Sequence, residues 1–147
     1  MTLVWLDKQA LLLLHGESLA EYGGASGMRD EGLLDSALAR PRHRFEYESP
    51  DMHELAAAYG FGIAKNHPFV DGNKRAAFLA TGLFLLLNGW RLEATQVDTT
   101  RMMLSLADGS LSEPAFAAWL RTQSKATAKR TAPSIAKTAA RRGEHKS

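Results

Sequence analysis

The chain has 147 residues, 45% hydrophobic and 23% charged, which is typical of one globular domain with a sizeable core. It contains no cysteine, which excludes disulfides, thiolate metal sites and cysteine nucleophiles and suits a reducing cytoplasm. No apolar stretch reaches the roughly 20 residues of a membrane helix. We therefore expect a cytoplasmic protein that has no contact with a membrane.

The first third of the chain predicts two helices with a small β element on either side. Residues 3–6 predict a short strand, and Asp7 is suited to cap a helix with apolar residues at helical spacing. Asp30 is suited to cap a second helix, which Pro41 should end because proline cannot continue a helix. Residues 42–49 alternate weakly and predict a flap or hairpin.

The rest of the domain predicts four more helices, so the fold class is all-α. Ser49, Pro50 and Asp51 form a typical helix start, and the third helix should end near Asn66. The fourth helix, 73–87, is apolar on nearly every side and should run through the middle of a bundle. A short strand at 90–94 and helices at about 97–107 and 113–122 complete the predicted domain.

The charge divides the chain into a domain at 1–122 and a tail at 123–147. The tail has seven basic residues and one acid, Glu144, so it carries +6 and leaves −4 on the domain out of the total of +2. It has no apolar face to bury, which favours disorder. Binding of nucleic acid is an open alternative for this tail alone.

One segment stands out for its chemistry and opens the predicted fourth helix. It consists of His67, Pro68, Phe69, Val70, Asp71, Gly72, Asn73, Lys74 and Arg75. A helix N-terminus has free N–H groups and a positive dipole end, and is therefore suited to bind a phosphate. Gly72 permits close approach of the backbone, Arg75 is suited to bidentate contact with phosphate oxygens, and Lys74 adds a compact positive charge.

Asp71 and His67 indicate which chemistry to expect beside a phosphate bound at this helix start. Asp71 would be costly among phosphates unless a cation lay between them, and Mg²⁺ bound by one carboxylate and a nucleotide meets that need. His67 is suited to take a proton from an attacking hydroxyl. The structural alternative is a loop histidine, a capping aspartate and a solvated first helical turn. Pro68 and Phe69 are expected to be structural in either case.

The segment resembles the signature of the Fic/Doc (death-on-curing) family. That signature has a histidine, a phenylalanine two residues later, and then an acidic residue, a small residue, asparagine and arginine at the positions of Asp71, Gly72, Asn73 and Arg75. Residues 22–41 also resemble the death-on-curing branch, and the resemblance spans roughly residues 3–122. It implies a bundle of about six helices with a small flap, ATP with Mg²⁺ as cofactors, and a cognate antitoxin as partner.

The resemblance also implies roles for individual residues. His67 matches the catalytic base and Asp71 the Mg²⁺ ligand, while Gly72, Asn73 and Arg75 match anion-binding residues. Adenylylating relatives have glycine at the position of Lys74 and a second arginine three residues after Arg75. The death-on-curing branch has lysine there and phosphorylates translation elongation factor Tu.

The death-on-curing pattern predicts a protein kinase in which Lys74 and Arg75 act with His67 in catalysis. Phe78 stands where adenylylating relatives have the second arginine, in agreement with this prediction. Pro68 and Gly72 depart from that branch, which has isoleucine and alanine. Transfer of AMP or another nucleotidyl group by the same fold is the first alternative. A non-enzymatic protein that binds nucleic acid through its tail is the second.

Overall fold

The computed structural model describes residues 2–127, which form a helical bundle with one small sheet. The elements in chain order are α1 (Lys8–Tyr22), α2 (Glu31–Tyr47), α3 (Met52–Asn66), α4 (Asn73–Leu87), β1 (Trp90–Leu92), α5 (Gln96–Asp108), α6 (Glu113–Gln123) and β2 (Ser124–Ala126). The predicted all-α class and the six helices are confirmed. Among residues 2–127, no helix is long and apolar enough to cross a membrane.

Helix α3 occupies the centre of the bundle, where it packs against α2, α4 and α6. Its middle consists of small residues that allow close approach of the neighbouring helices. At Gly60 an added Cβ would lie 2.4 Å from Oγ1 of Thr81 and 2.9 Å from Cε2 of Phe116, so only glycine fits there. The central position that the sequence predicts for α4 belongs to α3, since Phe78, Leu79 and Leu83 of α4 stay partly exposed.

Helix α2 continues past Pro41, so the predicted end at this residue and the predicted flap at residues 42–49 are wrong. A proline inside a helix costs about 3 kcal/mol, and tertiary contacts must offset this cost. Pro41 is itself buried. Two ion pairs hold the second half of α2, since Arg40 and Arg44 both bind the Glu113 carboxylate, the latter with an N–O distance of 3.2 Å. The ring of Phe45 also packs edge-on against Trp5, with centroids 5.6 Å apart.

The small β element of the fold pairs β1 with β2 in antiparallel register. The predicted strand at 90–94 is confirmed in the shorter form of β1. The strand predicted at 3–6 is wrong, because the backbone there bonds to side chains rather than to another strand. Val4 donates to Oδ1 of Asn88 at 2.8 Å and accepts from Nδ2 of the same residue at 2.8 Å.

The helix starts were predicted correctly for α1 and α2 but are shifted for α3. The side chains of Asp7 and Asp30 cap α1 and α2 by accepting backbone N–H groups at 3.0 Å. In α3 the capping residue is Asp51, two residues after the predicted cap Ser49. The chain stays ordered through β2, four residues beyond the predicted domain end at 122. The rest of the predicted tail, 128–147, lies outside the described residues.

Candidate active site

The site begins where α3 ends, at His67. This residue has φ 49° and ψ 56°, and it is the only non-glycine with positive φ between residues 2 and 127. The left-handed conformation costs about 1–2 kcal/mol for a residue with a Cβ atom. Its N–H still donates to the carbonyl of Ile63 at 3.2 Å. The chain therefore turns sharply at His67, whose side chain is exposed.

The loop after His67 is fixed by buried contacts at Phe69. The ring of Phe69 is 2% exposed and stacks on His15 of α1, with centroids 3.8 Å apart and planes at 17°. The Asn73 side chain accepts from the Phe69 N–H and donates to its carbonyl, both at 2.9 Å. Asn73 thus holds the loop with its side chain, and its backbone N–H is the group left for an anion. The structural role predicted for Phe69 is confirmed by its burial.

Asp71 presents an ionised carboxylate at the end of the loop. Its Oδ2 accepts from the Ala25 N–H at 3.1 Å and its Oδ1 from the Gly72 N–H at 2.8 Å. The bond from Ala25, the bond from Gly72 and the positive charges of Arg75 and Lys74 hold the pKa of this carboxyl below its usual value. The side chain is exposed and therefore remains open to a cation.

The donor set around Asp71 suits a Mg²⁺ ion shared with a nucleotide. Mg²⁺ is usually held by one or two carboxylates together with phosphate oxygens and water. Within residues 2–127, no group of three or more histidines or carboxylates lies close enough to hold a metal by itself. Asp71 would therefore supply the protein ligand, and the substrate and water would supply the rest.

Helix α4 starts without a side-chain cap because Gly72 occupies the capping position. Gly72 has φ 74°, and a Cβ there would lie 3.2 Å from both His15 Nε2 and Leu19 Cδ2. A residue with a capping side chain would thus be strained by this φ and crowded by His15 and Leu19. The other five helices in residues 2–127 are each capped by a side chain: Asp7, Asp30, Asp51, Thr95 and Ser112. The first N–H groups of α4 are left for an external acceptor such as a phosphate.

The two predicted cations lie on the first turn of α4. Lys74 is exposed, and Arg75 is partly buried with its guanidinium 5.0 Å from the ring centroid of Tyr22. Both line a cavity of 760 Å³ between α1, α4 and α5, together with Phe78. His67 does not line this cavity. The structure thus brings Lys74 and Arg75 close to Asp71, with the histidine at the other end of the loop.

Residues 24–30, which we call the strap, lie along the loop and were missed by the sequence prediction. Met28 pairs with Phe69 in a single β-bridge, and the Val70 N–H donates to the Gly27 carbonyl at 3.0 Å. Arg29 binds the carbonyls at the end of α3. The glycines of the strap were visible in the sequence, but nothing local indicates which segment it contacts.

His15 is the second missed residue. Its Nε2 lies 2.9 Å from the Asp71 carbonyl oxygen, and since a carbonyl only accepts, the imidazole donates through this nitrogen. His15 is 5% exposed. A histidine at a buried position of α1 gives no sign in the sequence that it contacts a loop 56 residues away.

Comparison with known proteins identifies the family. The sequence profile of the Fic/DOC family matches residues 5–85, which include the whole loop and the first turns of α4. The chain belongs to the Fic/DOC family. It is also similar to Toxin Doc of Mycolicibacterium smegmatis, with 41% identity over 92 residues that cover 61% of this chain and 68% of the relative.

Membership of the Fic/DOC family confirms the resemblance drawn from the signature, and it agrees with the helical bundle. The small β element of this Fic/DOC chain is the pair β1 and β2 rather than a flap at 42–49. The matched region ends within α4, so β1, α5, α6 and β2 lie beyond it.

Proposed function

We propose that this Fic/DOC protein is the toxin of a toxin–antitoxin pair and transfers the γ-phosphate of ATP to a hydroxyl of a protein. The relative named Toxin Doc supports the toxin assignment. The observation that carries the reaction is the start of α4, where uncapped N–H groups, Lys74 and Arg75 lie next to the carboxylate of Asp71. This arrangement suits a terminal phosphate with its Mg²⁺.

In the proposed reaction, the acceptor hydroxyl oxygen attacks the γ-phosphorus while His67 takes the hydroxyl proton. The new bond joins this oxygen to phosphorus, the bond from phosphorus to the β,γ-bridging oxygen breaks, and ADP leaves. The N–H groups of α4, Lys74 and Arg75 hold the phosphate oxygens and offset the charge that spreads over them in the transition state. Mg²⁺ bound at Asp71 would add further neutralisation of that charge.

Lys74 favours phosphoryl transfer over nucleotidyl transfer. Transfer of AMP requires room at the start of α4 for the two phosphates beyond the one attacked. In this proposal the exposed Lys74 side chain takes up that space, and its positive charge stabilises the terminal phosphate of ATP. Phe78, partly buried in the same cavity, offers no charge for a third phosphate.

The proposed partners are an antitoxin and a protein substrate, for which elongation factor Tu is the first candidate. Phosphorylation of this factor would arrest translation in the cytoplasm. Some family members carry an inhibitory helix marked by Ser or Thr with Glu four positions later, and no Ser or Thr of this sequence has Glu at that offset. We propose that restraint comes from a separate antitoxin, as the similarity to Toxin Doc suggests.

The test is to incubate the full chain with cell extract, or with purified elongation factor Tu, and with ATP labelled at either the α- or the γ-phosphate. We expect label on protein from γ-labelled ATP alone, and none with His67→Ala. Label from α-labelled ATP would replace the proposal with nucleotidyl transfer. No transfer, together with salt-dependent nucleic-acid binding that is lost on removing residues 123–147, would favour the non-enzymatic alternative.

A further inference from the structure

Arg29 of the strap binds the last carbonyl groups of α3 with its side chain. Its Nε donates to the His67 carbonyl at 2.6 Å and its Nη2 to the Asn66 carbonyl at 2.8 Å. Its backbone N–H donates to the Pro68 carbonyl at 2.7 Å. One residue thus contacts three consecutive peptide groups, centred on His67.

A guanidinium suits this position for two physical reasons. The last carbonyls of a helix have no partner within the helix and carry the negative end of its dipole. The planar fork of arginine holds two acceptors at a fixed spacing, whereas the ammonium of lysine does not impose one. Arg29 therefore fixes the relative orientation of the Asn66 and His67 peptide groups.

The conformation of His67 requires such a restraint. His67 has φ 49°, a region that few non-glycine residues occupy, and Pro68 after it favours an extended conformation at this position. The His67 side chain is exposed, and it makes no hydrogen bond to another residue within residues 2–127. The backbone at His67 thus sets the direction of the Cα–Cβ bond, from which the imidazole extends.

The strap holds Arg29 firmly enough to impose this geometry. On one side Met28 pairs with Phe69, and on the other Asp30 caps α2 by accepting from the Leu33 N–H at 3.0 Å. The Asp30 N–H also donates to the Pro68 carbonyl at 3.0 Å. The backbone of Arg29 is therefore held on both sides, which keeps its side chain within reach of the carbonyls at the end of α3.

We propose that Arg29 is a positioning residue, which holds His67 in its left-handed conformation so that the imidazole meets the acceptor hydroxyl. This inference rests on the proposed function for the role of His67. Arg29 itself contacts carbonyl groups of the protein and not the reacting atoms. Its loss should consequently slow the transfer step without weakening nucleotide binding at the start of α4.

The kinetic test compares the full chain with the variants Arg29→Ala and Arg29→Lys. We expect Arg29→Ala to lower kcat by roughly 10- to 100-fold with KM for ATP nearly unchanged, since a misplaced catalytic group costs about this much. Arg29→Lys should be intermediate, and added guanidinium ion should restore part of the activity of Arg29→Ala. Wild-type kcat in Arg29→Ala, or in Arg29→Lys, would overturn the proposal.

Arg121 provides the matched control. It binds the opposite end of α3, where its Nε donates to Asp51 at 2.9 Å. Arg121→Ala removes the same side chain and an ion pair from the same helix, roughly 20 Å from His67 along 15 residues at about 1.5 Å each. We expect it to keep the wild-type kcat. An equal loss of kcat in both variants would assign the effect to general stability and overturn the positioning role.

A spectroscopic measurement separates this inference from the proposed function. The Cα and N–H chemical shifts of residue 67 report its backbone conformation without any transfer assay. We expect these chemical shifts to change in Arg29→Ala and to keep their wild-type values in Arg121→Ala. Unchanged chemical shifts in Arg29→Ala would overturn the inference. If the wild-type chain transfers nothing and His67→Ala remains toxic, the proposed function fails, whatever the shifts show.

Discussion

Helices α3 and α4 are both 15 residues long and lie side by side, but they begin in opposite ways. At the start of α3, the Asp51 side chain accepts from the Glu54 N–H and the Glu54 side chain accepts from the Asp51 N–H, both at 2.8 Å. Arg121 adds an ion pair to Asp51. At the start of α4, Gly72 provides no side chain at all.

The difference shows how one kind of backbone group serves either stability or binding. A side-chain cap contributes about 1 kcal/mol to the stability of a helix, and α3 obtains this contribution. Helix α4 forgoes it, and its first N–H groups are left without a side-chain cap on the turn that also contains Lys74 and Arg75. We therefore expect substitutions around the start of α4 to reduce activity, and those at the start of α3 to reduce stability.

The largest effect is expected for His67→Ala. Removing a general base should lower transfer by about 10²- to 10⁴-fold, while the free energy of unfolding stays within about 0.5 kcal/mol because the side chain is exposed. Phosphate transfer and denaturant unfolding measure the two quantities. His43→Ala on the exposed face of α2 is the control. Unchanged growth arrest by His67→Ala would refute the assignment.

Lys74→Gly should lower phosphoryl transfer by about 10²-fold, the usual cost of one group that stabilises the transition state. Slow label transfer from α-labelled ATP is expected to appear, limited by Phe78 in place of an arginine. Glycine also costs a helix about 1 kcal/mol. Arg101→Gly in α5 controls for this cost, because the Arg101 side chain is 71% exposed and does not line the cavity of Lys74 and Arg75. Wild-type transfer of the γ-phosphate by Lys74→Gly would refute the proposal that Lys74 selects phosphoryl transfer.

Asp71→Asn should weaken Mg²⁺-dependent ATP binding by at least about tenfold, or 1.4 kcal/mol, measured by calorimetry with and without EDTA. Asparagine keeps the shape of the side chain but removes the charge that attracts the ion. Asp108→Asn is the matched control, because Asp108 also accepts a backbone N–H, from Ser110 at 2.8 Å. Equal ATP binding with and without EDTA would refute the role of Asp71 as a Mg²⁺ ligand.

The smallest effect is expected for Asp51→Ala, which should cost about 1 kcal/mol of stability and leave transfer unchanged at temperatures where the chain is folded. Partial burial would raise the pKa of Asp51, but hydrogen bonds from Arg121 and the Glu54 N–H hold it below its usual 3.8. This contribution is therefore present above about pH 4 and is lost as the pH falls through the folded-state pKa.

Unfolding of the wild type and of Asp51→Ala over pH 2–7 measures this contribution, and the gap between the two curves should narrow towards acid. A gap that widens towards acid would contradict the sign of the shift. Loss of transfer by folded Asp51→Ala would break the comparison between the two helix starts.

The local sequence predicted the parts of the site that lie within one short stretch. The order from His67 to Arg75 indicated an anion site at a helix start, and the structure places Gly72 at that start with no cap. Caps at Asp7 and Asp30 followed from residue type alone. The caps at Asp7 and Asp30 could be predicted because a cap depends on atoms only a few residues apart.

Other features arise from contacts between distant segments. Helix α2 passes through Pro41, where its second half contacts Glu113 of α6 and Trp5 before α1. The Asn88 side chain bonds both backbone groups of Val4, so residues 3–6 do not pair with another strand. None of these partners can be recognised from one sequence, since their pairing is decided by packing.

The sequence by itself thus determined the family and the helical class, because these depend on composition, helical spacing and a nine-residue signature, and it supplied the candidate residues for the proposed chemistry. Only the tertiary structure decided how those residues are held. The strap lies along the loop, Arg29 binds the carbonyl of His67, and His15 binds that of Asp71, across 38 and 56 residues. Such pairs form only when helices pack, since the entropy of closing long loops is offset by the burial of the whole core and not by any local preference.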